Sequence, residues 1–434
     1  MEQTRWSARR RTLASVAALA SLGAIASLAS LSARAGSSTG PDVTVFSIPD
    51  THNYGASGGL RGYSIGTTSC NVGTQPVNWC ASGGGCGSGT TNTDHPAIAQ
   101  NIYRLKDGRF EQIGMSWLKH GFLSLNLSSS GCGDGSCDHP PLGGSQLGVS
   151  CTDPYDSGLN GSRPLGKRSI VNATTGDYPS PYTGGGSTAQ VSDQRIKVLD
   201  AELDPALNAG ARYFVEGQYV APDDGSAGNG LNNASYREVA VQAGTFNLSF
   251  AGDTVREQSA IEVWPLIDAT VEVTNVDVPG PIAERYHVAR KVTSPSPGLW
   301  HYEYAVHNLN SDRSARAFSI DFPTPTTITN VGFRDVDHHS GEPYDTADWT
   351  AAVDADGVSW STDDFATDAN ANALRWATMF SFWFDASSSE GGIDHALELF
   401  KPGSPTAVEF GIGDDLFADG FETGDTGAWT LVVP

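Results

Sequence analysis

Between residues 269 and 333 the chain is a succession of short alternating or β-branched runs: Ala269–Val276, His287–Val292, Leu299–His307, Ala317–Phe322 and Thr326–Phe333. Pro, Gly and Asn separate them. Extended strands send successive side chains to opposite faces, so each run offers one face to a core. Many short runs at close spacing, with no helical alternation, predict an antiparallel β-sandwich. Thr350–Val353 and Val358–Ser361 flank Asp354-Ala355-Asp356-Gly357, an Asp-Gly hairpin signal. Met379–Asp385 and Ala407–Gly411 read as further strands, and only Ala371–Thr378 carries a short helical pattern. The expected fold class is all-β.

The first half is β-rich in a different way. Composition shifts near residue 262: 37 of the 50 Gly and all six Cys precede it, and seven of the ten Trp follow it. The expected organisation is an export signal over 1–35, a Gly-rich, disulfide-stapled β domain over 36–262, a β-sandwich over 263–412 and an acidic tail over 413–434. Ile102–Leu105 and Arg109–Ile113 flank Lys106-Asp107-Gly108, a second hairpin signal. Arg212–Val220, Arg237–Val241 and Thr245–Phe250 read as strands. Residues 128–190, dominated by Gly, Ser, Pro, Thr and Asn, read as loop.

The leader has a basic head (Arg5, Arg9, Arg10, Arg11), an apolar run from Leu13 to Leu31, and Ala33-Arg34-Ala35 as a cleavage pattern. Arg10-Arg11-Thr12-Leu13 loosely fits a twin-arginine signal as well. The mature chain is expected to be exported, periplasmic or extracellular, with no membrane span. In such a compartment Cys70, Cys80, Cys86, Cys132, Cys137 and Cys151 read as disulfides, whose pairing spacing does not choose. Cys132, Cys137 and His139 form the competing zinc reading. The chain carries 49 acidic and 26 basic residues, a net of −23. Removing the leader, with its five Arg and Glu2, leaves 48 and 21, a net of −27. That balance excludes a nucleic-acid partner, because phosphate neutralisation needs clustered Lys and Arg.

Leu299-Trp300-His301-Tyr302-Glu303-Tyr304-Ala305-Val306-His307 resembles strands of β-sandwich domains in uncharacterised secreted bacterial proteins. Phe417-Ala418-Asp419-Gly420-Phe421-Glu422-Thr423-Gly424-Asp425 resembles a short segment recurrent in exported bacterial proteins. Each resemblance spans about a dozen residues, implies an exported β-rich protein and carries over no catalytic residue.

Gly36–Gly40 and Gly55–Gly59 match G-x-S-x-G, but neither precedes a helix pattern, which that nucleophile motif requires. His95, Glu111, Lys119 and His120 are the candidate catalytic residues, as the densest proton-transfer groups of the first half. In an extended strand Lys119 and His120 point to opposite faces. His301, Glu303 and His307 share one strand face and are the candidate metal ligands, with Asp335, Asp337, His338 and His339 as further donors. The plainer expectation is a polar face meeting water. Acidic loops at Asp223-Asp224, Asp354–Asp368 and Asp414–Asp425 suit structural Ca²⁺. The expected function is a binding or structural module acting at the cell surface or on extracellular polymer, carbohydrate foremost, since Trp and Tyr stack on sugar rings. The alternative is an exported hydrolase or metal-dependent enzyme using these His and acidic residues.

Overall fold

The computed structural model describes residues 38–79, 95–121, 123–161, 165–179, 191–388 and 392–413. The leader, Cys80, Cys86 and the tail segment Phe417–Asp425 lie outside the described residues. The chain is all-β, with six sheets whose ladders are all antiparallel. Ser37–Pro434 form one compact unit. Among the described residues no helix is long and apolar enough to cross a membrane.

The strands of residues 43–250 build four sheets. The largest orders Leu248–Phe250, Ala234–Val241, Arg212–Val220, Ala97–Lys106 and Arg109–Met115, with Lys119–His120 also pairing Ala97–Lys106. The hairpin at Asp107-Gly108 turns with φ of 52° and 84°, the left-handed pair that a two-residue turn between twisted strands demands. A four-stranded sheet orders Val43–Ser47, Thr67–Asn71, Cys151–Tyr155 and Leu127–Ser128. Val43, Val45, Ile65, Ile98, Val215 and Tyr219 fill a shared core.

Two disulfides, Cys70–Cys132 and Cys137–Cys151, tie the Gly-rich 128–150 stretch to that four-stranded sheet. All four described cysteines, Cys70, Cys132, Cys137 and Cys151, are therefore bridged, and the zinc reading of Cys132 and Cys137 is replaced by two cystines. The bridges order a segment with too few apolar groups to order itself. Cys70–Cys132 closes a 62-residue separation against 14 for Cys137–Cys151. Replacing both Cys70 and Cys132 by Ser is expected to cost about 2–5 kcal/mol, and about 1 kcal/mol more than removing the shorter bridge. Urea midpoints of the two double variants check the order.

Residues 271–410 form a sandwich of two five-stranded sheets. One orders Val271–Val278, Glu284–Ser296, Leu299–Asn308, Thr378–Ala386 and Ile328–Arg334; the other Thr350–Val353, Gly357–Ser361, Ala315–Asp321, Asp394–Leu399 and Ala407–Phe410. Tyr286, Tyr302, Tyr304, Phe380, Phe382 and Phe384 from the first meet Phe318, Ile320, Trp360 and Leu397 from the second in one core. Ala371–Thr378 is not helical: Leu374 bridges Ala315 and Thr378 opens a strand, so ladder pairing overrides the local helical pattern. Gly55–Gly59 covers the end of the Thr51–Ser57 strand and the Gly58-Gly59 turn into Leu60–Ile65, not a nucleophile elbow.

Candidate functional site

Leu299–Asn308 is the central strand of its sheet, between Glu284–Ser296 and Thr378–Ala386. Its even-numbered residues enter the sandwich core, so His301, Glu303, Ala305 and His307 face outward. Beyond the partly exposed His301, that outward face does not meet water. Arg109, Phe110 and Gln112 of the first half cover it. The Arg109 guanidinium donates two 2.7 Å bonds to Glu303. The Phe110 carbonyl accepts from Ser381 at 3.0 Å, and Gln112 Oε1 accepts the Met379 N–H at 2.7 Å. The alternation of polar and aromatic residues marks two buried faces rather than one.

At one end of this face lies a line of charges. His301 Nδ1 is 2.6 Å from Asp385 Oδ1, and Nε2 is 2.8 Å from Glu303 Oε1. Carboxylates only accept, so both nitrogens carry protons and the ring is an imidazolium. The Glu303 bond, then the Asp385 bond, raise the His301 pKa against partial burial. Trp383 lies flat over Gly332, where a Cβ would fall 2.0 Å from the indole, and presents its ring 3.5 Å from the Arg109 guanidinium carbon. With no lone pair free, His301 in this state neither ligates a metal nor accepts a proton. A raised histidine pKa stabilises the fold below the unfolded value near 6.5, and that increment is lost as pH rises through the folded value. Wild type is therefore expected to lose melting temperature between pH 7 and pH 9 relative to its value at pH 6, and His301→Gln to lack that loss.

The structure brings His301 and Glu303 together and leaves His307 apart, at the far end of the covered face. His307 is 1% exposed and stacks on His287 with ring centres 5.9 Å apart. Burial, then Arg168, lower its pKa to about 3.

In the first half His95 Nε2 and His120 Nδ1 are 3.0 Å apart, buried beside the Tyr178 ring. Burial, then His95, hold the His120 pKa well down. Lys119 points the other way, as strand alternation requires. Its Nζ donates to Thr67 Oγ1 at 3.1 Å and sits 3.6 Å from the centre of the Tyr155 ring. Complete burial drives its pKa down against Asp50, Asp153 and Asp156. Glu111 is elsewhere, in an ion pair with Arg104 at 2.6 Å. The four residues do not share one site. The Asp354–Asp368 loop serves its own backbone, Asp354 Oδ1 accepting from Asp356 and Gly357 N–H and Asp364 Oδ1 from Thr367 N–H, while Asp223 and Asp224 accept the Asn78 and Val43 N–H groups and Asp414–Asp425 lies outside the described residues. Among the described residues no three His, Cys, Asp or Glu side chains converge as a cation site.

A groove of about 440 Å³ opens beside the second sandwich sheet, bordered by Arg316, Phe365, Glu398, Phe400, Lys401 and Thr406. Phe365 and Phe400 meet edge to face at 5.3 Å. Arg313 shapes one wall by donating to the Pro405 carbonyl at 2.6 Å and the Lys401 carbonyl at 3.1 Å. Arg316 pairs with Glu398, and Lys401 with Asp312 at 2.8 Å. Sequence reasoning missed this groove because its walls come from residues about 90 apart in the chain (313–316 against 398–407), with no local motif.

No protein-family model matches the chain, and no curated protein matches its sequence.

Proposed function

We propose that this chain is an exported, disulfide-bridged binding module whose ligand is a neutral polysaccharide held in the Arg316–Phe365–Lys401 groove. The carrying observation is the groove's lining: a partly open Phe365 ring flanked by donors on Arg316 and Lys401 and acceptors on Glu398 and Asp364. Sugar chains present apolar ring faces and hydroxyls that both donate and accept, which that lining complements. A net charge of −23 disfavours an acidic polymer. Trp79, Trp117, Trp264, Trp349, Trp360 and Trp376 are buried in the core, and among the described tryptophans only Trp300 and Trp383 are partly open, so the groove's Phe365 is the ring offered to a sugar. Two bridges support an oxidising compartment.

Affinity electrophoresis through gels containing neutral glucans, mannans or xylans tests the reading. Wild type is expected to be retarded by at least one of them, and Phe365→Ala to bind it about tenfold more weakly, roughly 1.4 kcal/mol. Equal migration of both proteins in every gel would remove it.

A further inference from the structure

One row of side chains crosses the covered sheet face opposite the charged end. Asn275 pairs with His287, His287 with His307, and His307 with Met379 in successive ladders. The two imidazole planes lie within 5° of parallel, their centres 5.9 Å apart. A metal-bound imidazole has its centre about 3.2 Å from the ion, a bond of about 2.0–2.1 Å plus the ring radius. Two rings on one ion are thus about 5–6 Å apart, so the observed spacing suits a shared ligand once the rings turn edge-on to it, since each lone pair lies in its ring plane.

The hydrogen bonding points the same way. Asn275 Oδ1 lies 2.7 Å from His287 Nδ1. An amide oxygen accepts, so Nδ1 carries the proton and Nε2 keeps the lone pair; such an outer contact is what orients a ligating histidine. Neither ring nitrogen of buried His307 has a hydrogen-bond partner among the described residues. Leaving both unpaired is costly, and an ion would satisfy one of them. Met379, 1% exposed, adds a thioether at the adjoining register position. The charges facing the row offset one another: Arg168 against Glu216, which Asn101 links, and Arg285 against Asp277 beside His287.

We propose that His287, His307 and Met379 form a binding site for copper(I). Imidazole with thioether selects a soft ion. Three neutral donors leave the ion's charge uncompensated, and the cost of burying an ion grows with the square of its charge, which favours a monovalent ion over zinc. Burial keeps both imidazoles unprotonated, so protons compete weakly for the site.

The test titrates the disulfide-bonded exported chain with copper(I) under anaerobic conditions against a chromophoric chelator, once folded and once during refolding. Wild type is expected to hold a single copper(I) in at least one of the two, with nitrogen and sulfur scatterers by X-ray absorption. His307→Ala is expected to bind about 100-fold more weakly or not at all, while its metal-free melting temperature does not fall. Met379→Leu, which keeps the core volume, is expected to lose the sulfur scatterer and weaken binding. The proposal is overturned if wild type takes up no copper in either titration, if His307→Ala keeps wild-type affinity (binding then resting on exposed histidines such as His52 and His139), or if the copper has no sulfur neighbour.

Discussion

Acidifying the protein from pH 7 to about pH 4.5 is expected to unfold it cooperatively. Burial holds the pKa of His287, His307 and His338 at about 3 and of His339 and His395 at about 4. In the unfolded chain the same rings titrate near 6.5. Below that value the unfolded state binds protons that the folded state refuses, so stability is full above pH 6.5 and falls as pH drops. At pH 4.5 each histidine costs roughly 2–3 kcal/mol. Buried carboxyls act in the opposite direction. Burial raises Asp153 and Asp335 to about 6, and Glu216 and Asp224 shift the same way. Asp153 and Asp335 each return about 2 kcal/mol by pH 4.5. The histidines outweigh them by an amount comparable with the ~5–15 kcal/mol stability of a folded domain. Circular dichroism and Trp fluorescence against pH should show one transition. His307→Leu, which removes a ring making no hydrogen bond, should move it to lower pH; an unmoved midpoint would contradict this assignment.

Arg168→Met is expected to cost about 3–5 kcal/mol, and to leave the chain unfolded at elevated temperature. Arg168 is fully buried where the two halves meet. It donates to the Ser116 carbonyl at 2.7 Å, the Gln100 carbonyl at 3.1 Å, Asn101 Oδ1 at 2.8 Å and the Ala377 carbonyl at 3.0 Å. Ala377 stands at φ 52°, a conformation unfavourable for a residue with a Cβ, and the Arg168 and Asn101 donors hold its carbonyl in place. Asn101 also donates to Glu216, which accepts the Tyr103 hydroxyl at 2.7 Å and the Ala260 N–H at 2.7 Å. Burial still lowers the Arg168 pKa to about 10, so the guanidinium stays charged at neutral pH. Methionine fills the volume but removes four hydrogen bonds and the cation facing the Glu216 charge, and that loss exceeds any packing gain. Arg168→Lys should recover only part of the stability, because an ammonium cannot reach four acceptors as a planar fork does. Urea denaturation of the three proteins gives the ranking.

Strands with strong alternation are legible in the sequence. Leu299–His307, Met379–Asp385 and the two Asp-Gly hairpins reappear within a residue or two. Thr51–Ser57, Leu60–Ile65 and Thr67–Asn71 are not legible, because small and polar residues dominate them and no apolar period stands out. Cys151–Tyr155 lay inside a stretch that composition marks as loop, and its strand exists through pairing with Thr67–Asn71 and Leu127–Ser128. The His301–Glu303 contact was readable from period two. Its partners Asp385 and Arg109 were not, since they depend on strand register and on how the first half packs. His287 and His307 likewise meet only once register is known.

The central claim is that His301 and the buried histidines are locked in fixed charge states, so the covered sheet face fastens the protein together and leaves sugar binding to the groove. Nitrogen-15 NMR of the imidazoles as a function of pH measures this directly. The expected result is His301 doubly protonated at pH 7, with His287, His307, His338, His339 and His395 neutral down to the acid transition. Any of those five titrating reversibly near pH 6.5 in the folded protein would mean an open, proton-exchanging site, and would contradict the account.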